Sequence, residues 1–208
     1  MKYSTIQHLK YLFNYSKTIV HLQADLNRLP AIKDINSFII RELNVDNAED
    51  IQHWLNIVND AYVETEHDRE YALNHINNHL FLNIYKIYLL FDKDKPIGTI
   101  SIGTFKSNKN MGGDARIAIR KDYQGKGLGS YLLAYGFQKL KESGIKYGES
   151  IISITREQSI MLHFKCGFIP QYNKDYISYK GQRRHFLIRF FVREQLNKMY
   201  RIFLGESF

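Results

Sequence analysis

The stretch YQGKGLGSYLL, residues 123–133, sets Gly125, Gly127 and Gly129 at alternate positions between Gln124 and an apolar helical pattern. The first turn of a helix leaves four N–H groups without intrahelical partners, and the helix dipole adds partial positive charge there. Glycines at such a mouth remove the side chains that would keep an anion from the amides. The stretch therefore predicts a backbone cradle for a diphosphate, with Gln124 and Lys126 adding donors at its edge and Leu128 and Ser130 starting the helix behind it. Other phosphate loops fit less well. A dinucleotide GxGxxG needs glycine where Ser130 stands, and a Walker loop needs glycine-lysine followed by Ser or Thr, whereas here Lys126 precedes Gly127.

Working outward, ARIAI reads as a strand feeding this loop, and Leu128, Leu132 and Tyr135, with Leu133, Phe137 and Leu140, form a helical stripe that Gly144 ends. ESIISIT follows as a strand. Thr155 and Gln158 offer a capping box for a short helix closed by Gly167 in FKCGF. Before the loop, SFIIREL reads as a strand, Asp46 and Glu49 as a helix opening, and about Asp68 to His79 as a second helix. NIYKIYLLF and PIGTISIGTF around DKDK predict an antiparallel hairpin, and SNKNMGG a loop. Ile6, Leu9, Leu12 or Phe13, Ile19 or Val20, Leu22 and Leu26 fall near helical spacing, predicting one or two amphipathic helices closed by Pro30. Strands near YISYK and HFLIRFF precede a last helix with Leu196, Met199 or Tyr200, and Phe203 on one side.

The chain of 208 residues is 44% apolar, enough for one well-buried core, and its single cysteine forms no internal disulfide. No apolar run approaches the roughly 20 residues of a membrane span, and MKYSTIQHLKYLF lacks a signal-peptide core. A cytoplasmic protein with no membrane partner is expected. The net charge of +8 is polarised. Residues 42–70 set nine acids against Arg69, whereas residues 174–201 set eight bases against Asp175 and Glu194. A partner more specific than nucleic acid is expected.

Gln-x-x-Gly-x-Gly after a strand and opening a helix resembles the acetyl-CoA signature of the GCN5-related N-acetyltransferase (GNAT) superfamily. RIAI before the loop, IISI after the helix, and CGF at the family's usual Gly-Phe agree in order. The resemblance covers about residues 37–192. It implies an α/β (α+β) fold, a mixed and mostly antiparallel central sheet flanked by helices, with an extra N-terminal helical segment. The expected organisation is a helical extension over residues 1–35, the acetyltransferase domain over 36–192 and a helical tail over 193–208. The resemblance further implies acetyl-CoA as donor and direct transfer to a primary amine with no acyl-enzyme. The strand before the loop would splay from its neighbour, offering the backbone of Ile117, Ala118 and Ile119 to the pantetheine arm and the thioester. The diphosphate would lie on Gln124, Gly125, Lys126, Gly127, Leu128, Gly129 and Ser130.

Two departures mark the short helix. Arg156 stands where relatives commonly carry Asn in the cofactor site, and His163 where they carry the Tyr that acts as general acid. An imidazole, with a pKa near ~6.5, can hand a proton to a thiolate. A histidine that merely fills the helix surface is the other reading of His163, with Tyr172, Tyr176 and Tyr179 as substitutes. The base is sought in Asp114 and Glu149, which the bland reading takes as surface carboxylates. The loop VETEHDRE falls where the family builds an acceptor wall, so Glu64 and Glu66 are candidates for drawing in a polyamine, an aminosugar, a lysine-like amine or a protein amino group. A solvated acidic face explains the same charges.

His75 and His79 have ligand spacing for zinc but no third ligand is evident, so no metal is expected. Cys166 and Trp54 read as packing residues. The apolar face of the last helix suggests a homodimer. The rival to the enzyme is a non-catalytic acyl-CoA-binding or regulatory module whose basic tail contacts nucleic acid or another protein.

Overall fold

The computed structural model describes residues 18–31, 37–62, 66–79, 81–172 and 186–206. The chain divides into two compact units, Asp25–Glu149 and, taken together, Met1–Ala24 with Ser150–Phe208.

In the first unit the strands β2 (Phe38–Glu42), β3 (Leu82–Asp92), β4 (Lys95–Phe105) and β5 (Asn108–Ile119) pair antiparallel in that order. The start of β6 (Tyr147–Ser153) joins β5 parallel, Met111–Gly113 against Tyr147–Glu149. The expected hairpin is β3–β4. SNKNMGG is not the loop its composition suggests, because β5 starts at Asn108 and Gly112 pairs with Thr104.

Three helices cover this sheet: α1 (Ala48–Ala61), α2 (Arg69–Asn78) and α3 (Leu128–Glu142). Helix α1 is capped one residue later than the sequence suggested. Asn47 Oδ1 accepts from Glu49 N–H at 2.9 Å, while Asp46 N–H turns back to Asn44 Oδ1 at 3.0 Å. Ile87, Leu89 and Phe91 join the core cluster with Ile51, Trp54 and Val58 of α1 and Ala72 of α2. Tyr88, one step along β3, meets the ring of Tyr135 on α3 at 5.1 Å. Because side chains alternate across a strand, α1 and α2 lie on one face and α3 on the other. Covered on both faces, β4 is buried without a break from Ile97 to Gly103, its Thr99 and Ser101 hydroxyls satisfied by Tyr88 O and His75. At Gly136 of α3 a Cβ would stand 2.9 Å from Ile100 Cδ1 and from Ile102 Cγ2. The missing side chain sets how closely this helix approaches β4.

The acids of residues 42–70 are largely used inside the unit. Asp50, 1% exposed, accepts from Arg41 at 2.7 and 2.6 Å and from Asn44 N–H at 2.8 Å. The Arg41 hydrogen bond, against the cost of burial, holds its carboxyl below the usual range. Glu42 pairs with Lys86 at 2.6 Å, Asp60 accepts from Lys121 N–H at 2.7 Å, and Asp68 caps α2 through Tyr71 N–H at 2.8 Å.

In the second unit β1 (Ile19–Asp25) pairs antiparallel with β7 (Ile169–Pro170), Leu22 against Pro170. The expectation of helix over residues 19–25 fails here. Ile19, Val20 and Leu22 fit either period locally, and β1 is fixed by a partner far along the chain. Of the rest of that expectation, Leu26–Arg28 form a single 3-10 turn, and residues 1–17 lie outside the described residues. Helix α4 (Glu157–Lys165) follows β6 with Arg156 as its N-cap, and that residue makes no side-chain cap bond, so the expected Thr155 box is not formed. Residues 186–191, expected as strand, begin helix α5 (Phe186–Phe203), in which Val192, Leu196 and Met199 are buried at helical spacing. YISYK, with Tyr176 and Tyr179, lies outside the described residues. No helix among the described residues is long and apolar enough to cross a membrane.

Candidate active site

The site is built on the second half of β5. Thr99 pairs with Ala118 but Ser101 with Ala115, so two steps on β4 face three on β5. The extra residue is a bulge, with Arg116 in the left-handed region at φ 51°. Past the bulge, Arg120 N–H donates to Ile97 O of β4 at 2.8 Å. Peptide groups on a strand alternate between its two edges, so those of Ile119 and Ile117 face away from β4. Strand β6 is registered against β5 only as far as Gly113. Of the three residues expected to offer backbone, Ile117 and Ile119 present it to that edge. Ala118 turns to Thr99 and is 4% exposed.

A tight turn, Lys121–Tyr123, leads to the glycines. Gln124 Nε2 donates to Ile119 O at 2.9 Å, tying the loop to the end of β5, and Lys126 Nζ donates to Asp122 O at 3.0 Å. Tyr123 donates its hydroxyl to Asp92 at 2.9 Å, with the ammonium groups of Lys95 and Lys126 4.9 and 4.8 Å from its ring centroid. Gly125 and Gly127 have φ of 76° and 80°, and a Cβ at either would meet nothing within 4 Å. They serve the left-handed turn and leave the space before it clear. Gly127 is the N-cap of α3, whose first turn carries no acid, and Tyr131 N–H returns to Gly127 O at 3.1 Å. Leu128 anchors this turn in the core at 2% exposure, with Gly129 and Ser130 half-buried beside it.

Residues to which no sequence motif gave a functional role gather at the bulge. Tyr62, at the C-cap of α1, donates its hydroxyl to Ile117 O at 2.6 Å. The Arg116 guanidinium lies 5.5 Å from the Tyr62 ring centroid and 5.1 Å from that of Tyr71, which stacks on His67 at 3.8 Å. Burial, and then the charge of Arg116, lower the His67 imidazole below its ordinary value, against Asp68. The only sequence signal was aromatic residues near VETEHDRE, which name no role.

The other expected residues are placed as follows. Asp114 is half-buried on β5 opposite Ile102, and its charge acts on His79. Glu149 on β6 pairs with Gly113 and is 4% exposed. Glu66 is exposed, and Glu64 lies outside the described residues. In the other unit, Arg156 is exposed and donates its N–H to Ser153 O at 2.9 Å. His163 is 1% exposed, with Nδ1 2.7 Å from Ser159 O and its ring edge-on to Phe168. His75 contacts Ser101, Trp54 and His79, and no group that could hold a metal ion occurs among the described residues.

Strand β5 bulges, is registered with β6 only as far as Gly113 and enters helix α3 through a left-handed glycine turn. The chain belongs to the acetyltransferase (GNAT) family, whose model matches residues 51–168. The fold agrees with that of a GCN5-related N-acetyltransferase from Sphaerobacter thermophilus, with a TM-score of 0.59 and 16% identity over 82% of this chain and 55% of that one. A GCN5-related N-acetyltransferase from Kribbella flavida gives 0.53 and 14% over 74% and 54%. The ribosomal-protein-S18-alanine N-acetyltransferase from Escherichia coli gives 0.50 and 17% over 70% and 88%. The chain thus spans little more than half the length of the first two. A sequence search of curated proteins gave no significant match.

Proposed function

We propose that the protein is an acetyl-CoA-dependent N-acetyltransferase that passes the acetyl group directly to a primary amine. The observation that carries this reading is the junction of β5 and α3. There an edge not registered with β6 runs straight into a left-handed glycine turn with open space before it.

The donor fits these residues. The amides from Gly125 to Ser130 form a positively polarised mouth for the diphosphate, and Lys126 adds charge beside it. With their carbonyls held by Tyr62 and Gln124, Ile117 and Ile119 offer their N–H groups as donors to an extended pantetheine arm. Acetyl-CoA supplies the activated acyl carbon and a good leaving thiol. The chain supplies alignment, an N–H at the bulge for the developing oxyanion, and proton transfer. An amine attacks only when neutral, so a base must take its proton. Asp114 and Glu149 are the carboxylates of β5 and β6 proposed for this, directly or through water.

The acceptor we favour is a small cationic amine such as a polyamine or an aminosugar, with a protein amino group as the variant. Glu66 and Glu70, both exposed at the start of α2, support it. Thiol release from acetyl-CoA across spermidine, glucosamine, lysine and a peptide with a free N-terminal alanine tests the reading. Turnover with at least one amine is expected. Tight acetyl-CoA binding without turnover on any of them replaces the enzyme with a non-catalytic acyl-CoA-binding module.

A further inference from the structure

The family resemblance places a proton donor on the short helix, yet His163 at that position is 1% exposed and turns Nδ1 to the Ser159 carbonyl. A different acidic hydroxyl stands at the bulge. Tyr62 Oη lies 2.6 Å from Ile117 O, on the edge of β5 that faces away from β4. Its ring is held by Arg116 of β5, at 5.5 Å, and the same guanidinium bridges to Tyr71 of α2 at 5.1 Å. Asp60, the nearby acid on the same helix, spends its carboxylate on Lys121 N–H.

We propose that Tyr62 is the catalytic acid that protonates the departing thiolate. The inference rests on the acetyl-transfer reading, in which the acyl group lies along the edge formed by Ile117. As the carbon–nitrogen bond forms and the carbon–sulfur bond breaks, Tyr62 Oη gives its proton to sulfur. It recovers a proton, through water, from the nitrogen that has become an amide. One proton passes in net from nitrogen to sulfur, and no other reactant is needed. The Arg116 cation attracts the phenolate formed in between. The resting bond to Ile117 O keeps the hydroxyl at the bulge until the sulfur competes for its proton.

The test compares the full chain with Tyr62→Phe, which keeps the ring and its guanidinium contact. The first readout needs no turnover. The thiol of bound coenzyme A is titrated by its thiolate ultraviolet absorbance. A hydroxyl that donates to sulfur favours the thiolate, so the bound thiol titrates about one pH unit higher in the variant. In turnover, kcat falls about a hundredfold and the alkaline limb of the pH profile disappears. The acetyl-CoA Kd from calorimetry stays within about threefold, because the diphosphate seat is untouched.

Equal thiol titration in the two proteins, or equal kcat, overturns the proposal alone. A variant that loses acetyl-CoA affinity assigns Tyr62 to holding the bulge in shape and also overturns the acid role. A wild-type protein that binds acetyl-CoA yet releases no thiol to any amine or to water overturns the acetyl-transfer reading, and the acid with it.

Discussion

His75 Nε2 lies 3.0 Å from Ser101 Oγ, so helix α2 delivers an imidazole into the interior of the sheet, where it is 7% exposed. Trp54 stacks on it at 5.2 Å and His79 meets it edge-on. Burial first, then the charges of His79 and His67, lower its pKa to about 3. The folded protein therefore keeps His75 neutral while the unfolded chain binds a proton below about 6.5. Stability is complete above that pH and declines as pH falls toward the folded value, by up to about 1.4 kcal/mol per pH unit. The urea midpoint is expected to drop between pH 7 and 5. His75→Gln, whose amide can still bond Ser101, is expected to flatten that slope. Trp54 is the only tryptophan, so its fluorescence reports the transition at this spot. An unflattened slope assigns the acid sensitivity to other groups.

Gly127→Asp tests the phosphate cradle. The position has φ 80° and open space for a Cβ, so the fold survives at a cost of about 1–2 kcal/mol. The carboxylate then occupies the mouth of α3, where an anion is to bind. Calorimetry is expected to show acetyl-CoA affinity at least about a hundredfold weaker. Gly127→Ala carries the same backbone cost without the charge, and is expected to lose no more than about tenfold. Unchanged affinity in the aspartate variant removes the diphosphate from this loop.

The loop, the β3–β4 hairpin and the left-handed φ of Gly144 and Gly167 were legible because each follows from residues within a few positions of one another. What failed depended on distant partners. Ile19–Asp25 satisfies helical spacing and strand alternation about equally, and its partner Ile169–Pro170 settles which prevails. The bulge left no mark either, since Arg116 takes a positive φ to serve a register set by β4. Tyr62 falls at helical spacing from Ile51, Leu55 and Val58, which marks it only as one more stripe residue, while its hydroxyl reaches a carbonyl 55 positions away. The acidic run showed its total charge but not its use: Asp50 is an interior ion pair and Asp68 a helix cap.

His163→Phe separates the two candidate acids. The imidazole is buried in α4, and Ser159 O, which it contacts, can keep its ordinary helix bond when the ring nitrogen is lost. A phenyl ring of similar size preserves the edge contact with Phe168. The melting temperature is expected to move little and kcat to stay within about threefold. A fall of about a hundredfold with a displaced pH profile would return the proton to the imidazole and away from Tyr62.

Glu66→Lys tests the cationic acceptor. Asn59 grips the backbone of the next residue from both sides, Nδ2 donating to His67 O at 2.9 Å and Oδ1 accepting from His67 N–H at 2.8 Å. This clamp fixes the approach to α2 and leaves Glu66 exposed on it. Because Asp60 and Asp68 are committed to hydrogen bonds with backbone N–H groups, Glu66 can meet an incoming ammonium with its whole carboxylate. Screened by water, an exposed charge contact is worth about 1 kcal/mol, about fivefold in affinity. The KM for the amine is expected to rise about fivefold at low ionic strength with kcat little changed, and added salt to erase most of the difference. A polycation such as spermidine loses more than singly charged glucosamine. An unchanged KM for both amines at low salt shows that the carboxylate is only solvated, and moves the search for the acceptor's recognition to Arg116, Tyr71 and His67.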